Sequence, residues 1–181
     1  PKALEGKKYG TWNDPVELAM IKSLVEKQGG DYNKIELVPN SDSNSITPLE
    51  NGVFDAAWIY YAWDGKLAES MNLETNFFYL RDFDKKLDYY SPVIIANNDY
   101  LKNNKEEAQK VLRAIKKGYV YAIEHPEEAA DILIKNAPEL KEKRDFVVAS
   151  QKYISQQYAS NKEHWGEFDA ERWNAFYRWV N

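Results

Sequence analysis

KKYGTWNDPVELAMIKSLVEKQGG, residues 7–30, is the stretch on which the fold turns. Residues 7–11 are short, β-prone and run into Trp12, which predicts a strand. Asn13-Asp14-Pro15-Val16-Glu17 then sets a capping carboxylate before a proline at the first helical position, with a glutamate three residues after the cap. That order is a helix start. Leu18, Ile21, Leu24 and Val25 recur at helical spacing, and Gly29-Gly30 closes the run as a C-terminal cap. Working outward, KIELVP (34–39) reads as a second strand, followed by the polar stretch NSDSNS (40–45) and a short helix over 47–50. Asn51-Gly52 turns the chain into FDAAWIYY (54–61), a third strand, and 63–71 reads as another short helix. NFFYL (76–80) and SPVIIA (91–96) read as further strands.

Strands alternating with helices predict βαβ units and a largely parallel sheet, with ligands beyond the carboxyl ends of the strands. From Asn97 onward the pattern is helical only, over 106–123, 126–135, 141–158 and 169–180. Pro126-Glu127-Glu128 and Asp169-Ala170-Glu171 mark two of the starts. Helices without a sheet of their own need an apolar surface to cover, so their partner surface is expected outside these residues. The polar opening PKALEGKK, starting at Pro1, reads as the middle of a longer protein.

The 181 residues are 44% hydrophobic and 29% charged, which is a globular rather than a disordered composition. With 24 basic against 29 acidic residues and a net charge of -5, there is no electrostatic footprint for nucleic acid. No apolar run approaches the ~20 residues needed to cross a bilayer, and no basic-then-apolar segment opens the chain. The absence of cysteine excludes disulfides, thiol nucleophiles and Cys-ligated metals. No Gly-x-Ser-x-Gly, His-Glu-x-x-His, phosphate-loop or dinucleotide motif is present, and His125 and His164 do not form a spaced metal pair. No cofactor is expected.

What remains is aromatic: 6 Trp, 13 Tyr and 7 Phe, more rings than a core of this size requires. They concentrate in Trp58-Ile59-Tyr60-Tyr61-Ala62-Trp63-Asp64-Gly65, where an apolar strand runs into three large rings and a carboxylate. Such rings sandwich a flat heteroaromatic ligand, and the carboxylate accepts from an exocyclic amine or a protonated ring nitrogen. The alternative is that Trp58 and one tyrosine belong to the core and that Asp64 caps the following helix. Trp12 and Asn13 sit at the end of the first strand, where a helix amino terminus offers unpaired N–H groups to a polar or anionic ligand group. The loop 40–45 at the end of the second strand is a further candidate mouth. Tyr90, before Ser91-Pro92, either lines a cleft or stiffens a hinge.

LEGKKYGTWNDPVELAMIKSLVEKQG, NGVFDAAWIYYAWDG, DYYSPVIIANNDYLKNN and HPEEAADILIKNAPEL together resemble a substrate-binding protein of an ABC importer. More narrowly they are similar to the branch that takes up the pyrimidine precursor of thiamine, related in fold to the yeast-type pyrimidine synthase. The resemblance implies an α/β fold of the periplasmic-binding-protein type II kind, with one complete α/β lobe over 1–92. It makes 93–181 a crossover strand and the C-terminal helices of the other lobe, whose N-terminal part is missing. By the same resemblance Tyr60 and Asp64 stack on and hydrogen-bond to an aminopyrimidine, with Trp12, Asn13, Tyr61, Trp63 and Tyr90 as wall residues. It further implies a non-catalytic, extracytoplasmic receptor, periplasmic or a cell-surface lipoprotein. Its partners are then ABC permease subunits and a missing N-terminal segment or a second copy. The synthase's cysteine-rich iron motif has no counterpart here. Receptors for a sulfonate, nitrate or flavin precursor, a pyrimidine-modifying enzyme and a sugar-binding module are the competing readings.

Overall fold

The computed structural model of the protein describes residues 1–41 and 44–181. Its sheet grows from the opening stretch as expected, with β1 (Lys8–Thr11), α1 (Pro15–Lys27) and β2 (Glu36–Pro39) forming a parallel crossover unit. Asp14 caps α1, its carboxylate accepting from the Val16 and Glu17 amides, both at 2.9 Å. At the other end Gly29 takes φ +71°, and the Gly30 amide donates to the Val25 carbonyl at 2.9 Å, so the helix stops where glycine makes the left-handed turn inexpensive. After α2 (Ile46–Glu50), the strand β3 (Ala56–Ala57) pairs with Tyr9 and Gly10, completing the sheet order β2-β1-β3.

The helix α1 buries two adjoining stripes. Ile21 and Val25 pack with Tyr9 and Ile35, while Met20 and Leu24 pack with Leu87 and Phe176. Met20 rather than Leu18 supplies the core contact, because the second stripe meets a further helix and not the sheet. Each such side chain withdrawn from water contributes about 1.5–3 kcal/mol. That further helix is the last of the chain, α8 (Ala170–Val180). Residues Pro1–Tyr89 and Ala170–Asn181 form one compact unit. In it Phe176 stacks on Tyr89 at 4.2 Å and the Arg172 guanidinium donates to the Asp88 carbonyl and carboxylate. The sequence reading grouped 169–180 with the helices before it; the packing of Phe176 associates it with α1 instead.

Three expected strands are corrected. The third, read as 54–61, is paired only over Ala56–Ala57, since β1 ends at Thr11 and beyond it the Tyr60 amide is taken by the Asp64 carboxylate. Residues 76–80 are not a strand: Phe77 and Tyr79 meet edge to face at 4.8 Å and Phe77 lies 4.2 Å from Tyr61, a ring cluster on one side of the chain. Residues 91–96 are not a strand either, and Ile94 and Ile95 are 54% and 86% exposed. Apolar β-branched residues select an extended chain, but a strand exists only where a neighbour offers its free edge.

The second unit, Tyr90–Asp169, is helical: after α3 (Lys66–Ser70) of the first unit come α4 (Asn98–Asn103), α5 (Lys105–Glu124), α6 (Pro126–Asn136) and α7 (Arg144–Ser155). The start of α6 at Pro126 and the span of α5 match the sequence reading. The helix read from residue 141 begins at Arg144, preceded by a 3-10 segment Pro138–Lys143. The α4 turn was not anticipated; Asn97 caps it by accepting from the Asp99 and Tyr100 amides. Ala130, Phe146 and Val147 are buried in this unit, and none of the residues of α5 is.

Candidate functional site

Chain geometry at the carboxyl end of β1 brings two distant rings together. After Thr11 the backbone turns at Asn13, which adopts φ +59°, and the Trp12 ring is left 42% exposed. The chain leaving β3 turns at Tyr60, whose ring is 61% exposed. Their centroids lie 6.3 Å apart with planes inclined by only 16°. A flat ring between two others needs about 7 Å from plane to plane, more than the 6.3 Å between these centroids allows, so the pair must open to admit one. Exposed Tyr60 has room to open it.

Asp64 lies in the turn Tyr61–Gly65, and its carboxylate accepts from the Tyr60 amide at 3.0 Å. It is 7% exposed. Burial raises its pKa above the usual carboxylate value, opposed by the backbone amides of Tyr60 and of Asp64 itself. Asp64 therefore does not cap the following helix α3, whose N-cap Gly65 has no side-chain bond; it accepts instead from the residue that presents the exposed ring.

The other sequence candidates are distributed differently. Tyr61 faces away into its own cluster, with its hydroxyl donating to Glu69 at 2.6 Å and its ring 4.2 Å from Phe77. The Glu69 bond, with burial and Glu69's charge, pushes the Tyr61 hydroxyl up to about 12. Gly65 makes this possible, because a Cβ there would stand 2.4 Å from the Tyr61 ring. Trp63 is partly exposed in the same turn. Tyr90 belongs to the second unit, where its hydroxyl accepts from the Asp169 amide at 2.9 Å and its ring meets Phe168 edge-on at 4.7 Å.

The expectation of free N–H groups at the start of α1 is overturned. Asp14 accepts from the amides of Val16 and Glu17, the Trp12 amide donates to Glu17 at 3.2 Å, and the Asn13 amide donates to the Thr11 hydroxyl at 2.9 Å. The chain's own carboxylates and a hydroxyl fill the site that an anion would use. Among the described residues no ion pair is formed by Asp14, Glu17 or Asp64, so this end of the sheet is acidic. In the loop 40–45, Asp42 and Ser43 lie outside the described residues. Asn40 and Ser45 are buried and bond to each other at 3.2 Å, while Asn44 caps α2 through the Ile46 amide at 2.9 Å.

Sequence reasoning missed Glu17. The sequence presents it only as the glutamate three residues after the cap, where a capping box would turn it back to the cap residue's amide. Instead it is 4% exposed and accepts from the Tyr9 hydroxyl, the Thr11 hydroxyl and the Trp12 amide. Burial and the neighbouring Glu17 charge drive the Tyr9 pKa upward. The alternating placement of Tyr9 and Thr11 on one face of β1, with Glu17 in the first turn of the following helix, was the available signal.

The chain is 23% identical, over its whole length, to the formylaminopyrimidine-binding protein of Halalkalibacterium halodurans. It covers 55% of that protein, so it spans about half the length of the curated relative it matches. The NMT1/THI5-like family matches residues 1–129. The mixed α/β architecture with its small parallel sheet is that of the periplasmic-binding-protein-like fold. With the greater part of its length matched, the chain belongs to the NMT1/THI5-like family.

Proposed function

We propose that this chain is the ligand-contacting part of a non-catalytic solute receptor for an ABC importer, and that its ligand is an aminopyrimidine precursor of thiamine. The observation that carries the reading is the near-parallel pair Trp12–Tyr60 with the buried Asp64 carboxylate bonded to Tyr60's own amide. The rings take the faces of a flat heterocycle, and Asp64 accepts from its amine. The identity of the Halalkalibacterium halodurans relative as a formylaminopyrimidine-binding protein supports the ligand class. The acidic end of the sheet favours an amine-bearing ligand over a sulfonate or nitrate, since Asp14 and Glu17 occupy the donors an anion needs. Trp63 and Asn13 are proposed as flanking walls, with Tyr61 and Tyr90 as supports of their own segments.

Two stacks at about 1 kcal/mol each and one charge-assisted bond at about 2 sum to about 4 kcal/mol, millimolar binding, against about 8 for a micromolar receptor. The remainder is assigned to a counterpart lobe, together with cover for the unburied helix α5. Membrane permease subunits and a site outside the cytoplasm complete the proposal. The test is titration against hydroxymethyl- and formylaminomethyl-aminopyrimidine, a sulfonate, nitrate and a flavin. Tightest binding by an aminopyrimidine, unchanged after incubation, is expected. Preference for the sulfonate or nitrate, or conversion of the pyrimidine, overturns it.

A further inference from the structure

Glu17 contributes nothing to the ligand contacts above, yet it is the most fully bonded acidic side chain near them. A buried carboxylate is costly unless donors surround it, and a well-packed apolar residue in its place is commonly no worse for stability. Here three donors converge: Oε1 accepts from the Tyr9 hydroxyl at 2.9 Å, and Oε2 accepts from the Thr11 hydroxyl at 2.9 Å and the Trp12 amide at 3.2 Å. The Thr11 oxygen in turn accepts from the Asn13 amide at 2.9 Å. Residues 11–13, the three that leave the sheet, are thus tied to the first turn of α1 through one side chain. They include Asn13 at φ +59°, in the left-handed region that asparagine enters more readily than most non-glycine residues.

We infer that Glu17 is a positioning residue for the ligand: through the Trp12 amide and the Thr11 hydroxyl it holds the Trp12 ring parallel to Tyr60 before ligand arrives. The inference rests on the reading of Trp12 and Tyr60 as the ligand's walls. Pre-setting the ring removes an ordering cost that binding otherwise bears. The arrangement also specifies which replacement works. In a glutamine, the amide oxygen at the Oε2 position keeps both the Thr11 and Trp12 donors that hold Trp12, while only the Tyr9 hydroxyl, away from that ring's segment, loses its acceptor.

The experiment is fluorine NMR of the chain labelled with 5-fluorotryptophan, its Trp12 resonance assigned by Trp12→Phe, together with NMR titration by hydroxymethyl-aminopyrimidine. Six tryptophans give six resonances. Glu17→Gln is expected to leave the Trp12 resonance in place and the affinity within about threefold. Glu17→Leu and Thr11→Val are expected to shift or broaden Trp12 alone and to weaken binding about fivefold or more. If Glu17→Leu does not fold, Thr11→Val, which keeps the side-chain volume, decides. An unmoved Trp12 resonance with unchanged affinity in Thr11→Val, or all six resonances moving together, overturns the inference. Should the wild-type chain bind no aminopyrimidine while Trp12 still responds to Thr11→Val, the ligand reading fails and the positioning of Trp12 by Glu17 stands.

Discussion

Replacing Asp64 by asparagine separates its two roles. The carboxylate accepts from the Tyr60 amide at 3.0 Å, and asparagine's carbonyl oxygen can keep that bond. A hydrogen bond to a charged group is worth about 1.5–3 kcal/mol and a neutral one about 0.5–1.5, so about 1 kcal/mol is lost there. Against this, Asp64's pKa is raised in the fold chiefly by burial. A carboxyl with a raised folded pKa stabilises the fold below its unfolded value of 3.8, and that contribution is lost as pH rises through the folded value. At neutral pH the buried charge is therefore a burden, and removing it offsets part of the lost bond. The net change in folding is expected within about 1 kcal/mol, a shift of roughly 2–4 °C in Tm for a chain of this size. The ligand amine, however, now faces an NH2 donor in place of an acceptor, and binding loses about 1.5–3 kcal/mol, roughly tenfold to a hundredfold. Ligand-observed NMR reaches the millimolar range needed: hydroxymethyl-aminopyrimidine should saturate the wild-type chain and fail to saturate Asp64→Asn. Saturation of the variant at the wild-type concentration, or a Tm loss above about 10 °C with affinity kept, would show that Asp64 serves the turn alone.

Trp12→Ala and Tyr60→Ala should each weaken aminopyrimidine binding by at least about 0.5–1.5 kcal/mol, and the double variant should cost less than the sum because each ring needs the other; titration of all three checks this. Gly65→Ala forces a Cβ to 2.4 Å from the Tyr61 ring, so thermal denaturation should reveal a loss of about 1–3 kcal/mol. The Tyr61 hydroxyl should ionise near pH 12 rather than 10, seen as an ultraviolet difference between wild type and Tyr61→Phe. Its raised folded pKa means that the Glu69 bond supports the fold fully below pH 10, and that this support disappears as pH rises through about 12.

Local physics made parts of this protein readable from its residues alone. The β1–α1–β2 unit follows from the Asp14 cap, Pro15, the apolar spacing and the Gly29-Gly30 stop, all of which act within a few residues of the backbone they shape. The Tyr60–Asp64 contact is equally local, four positions along a single turn. Tertiary structure alone decided the rest. Whether 76–80 and 91–96 become strands depends on a neighbouring edge, which their own side chains cannot supply. The helix 170–180 reads the same whichever surface it covers; the contact of Phe176 with Tyr89 and Leu24 selects that surface. Glu17 carries an ordinary capping pattern, and only the approach of Tyr9 and Thr11 on β1 turns it inward to hold Trp12. Trp12 and Tyr60 face each other because β3 pairs in parallel with β1 and both chains turn at the same end of the sheet, a register set by long-range hydrogen bonds rather than by either aromatic residue.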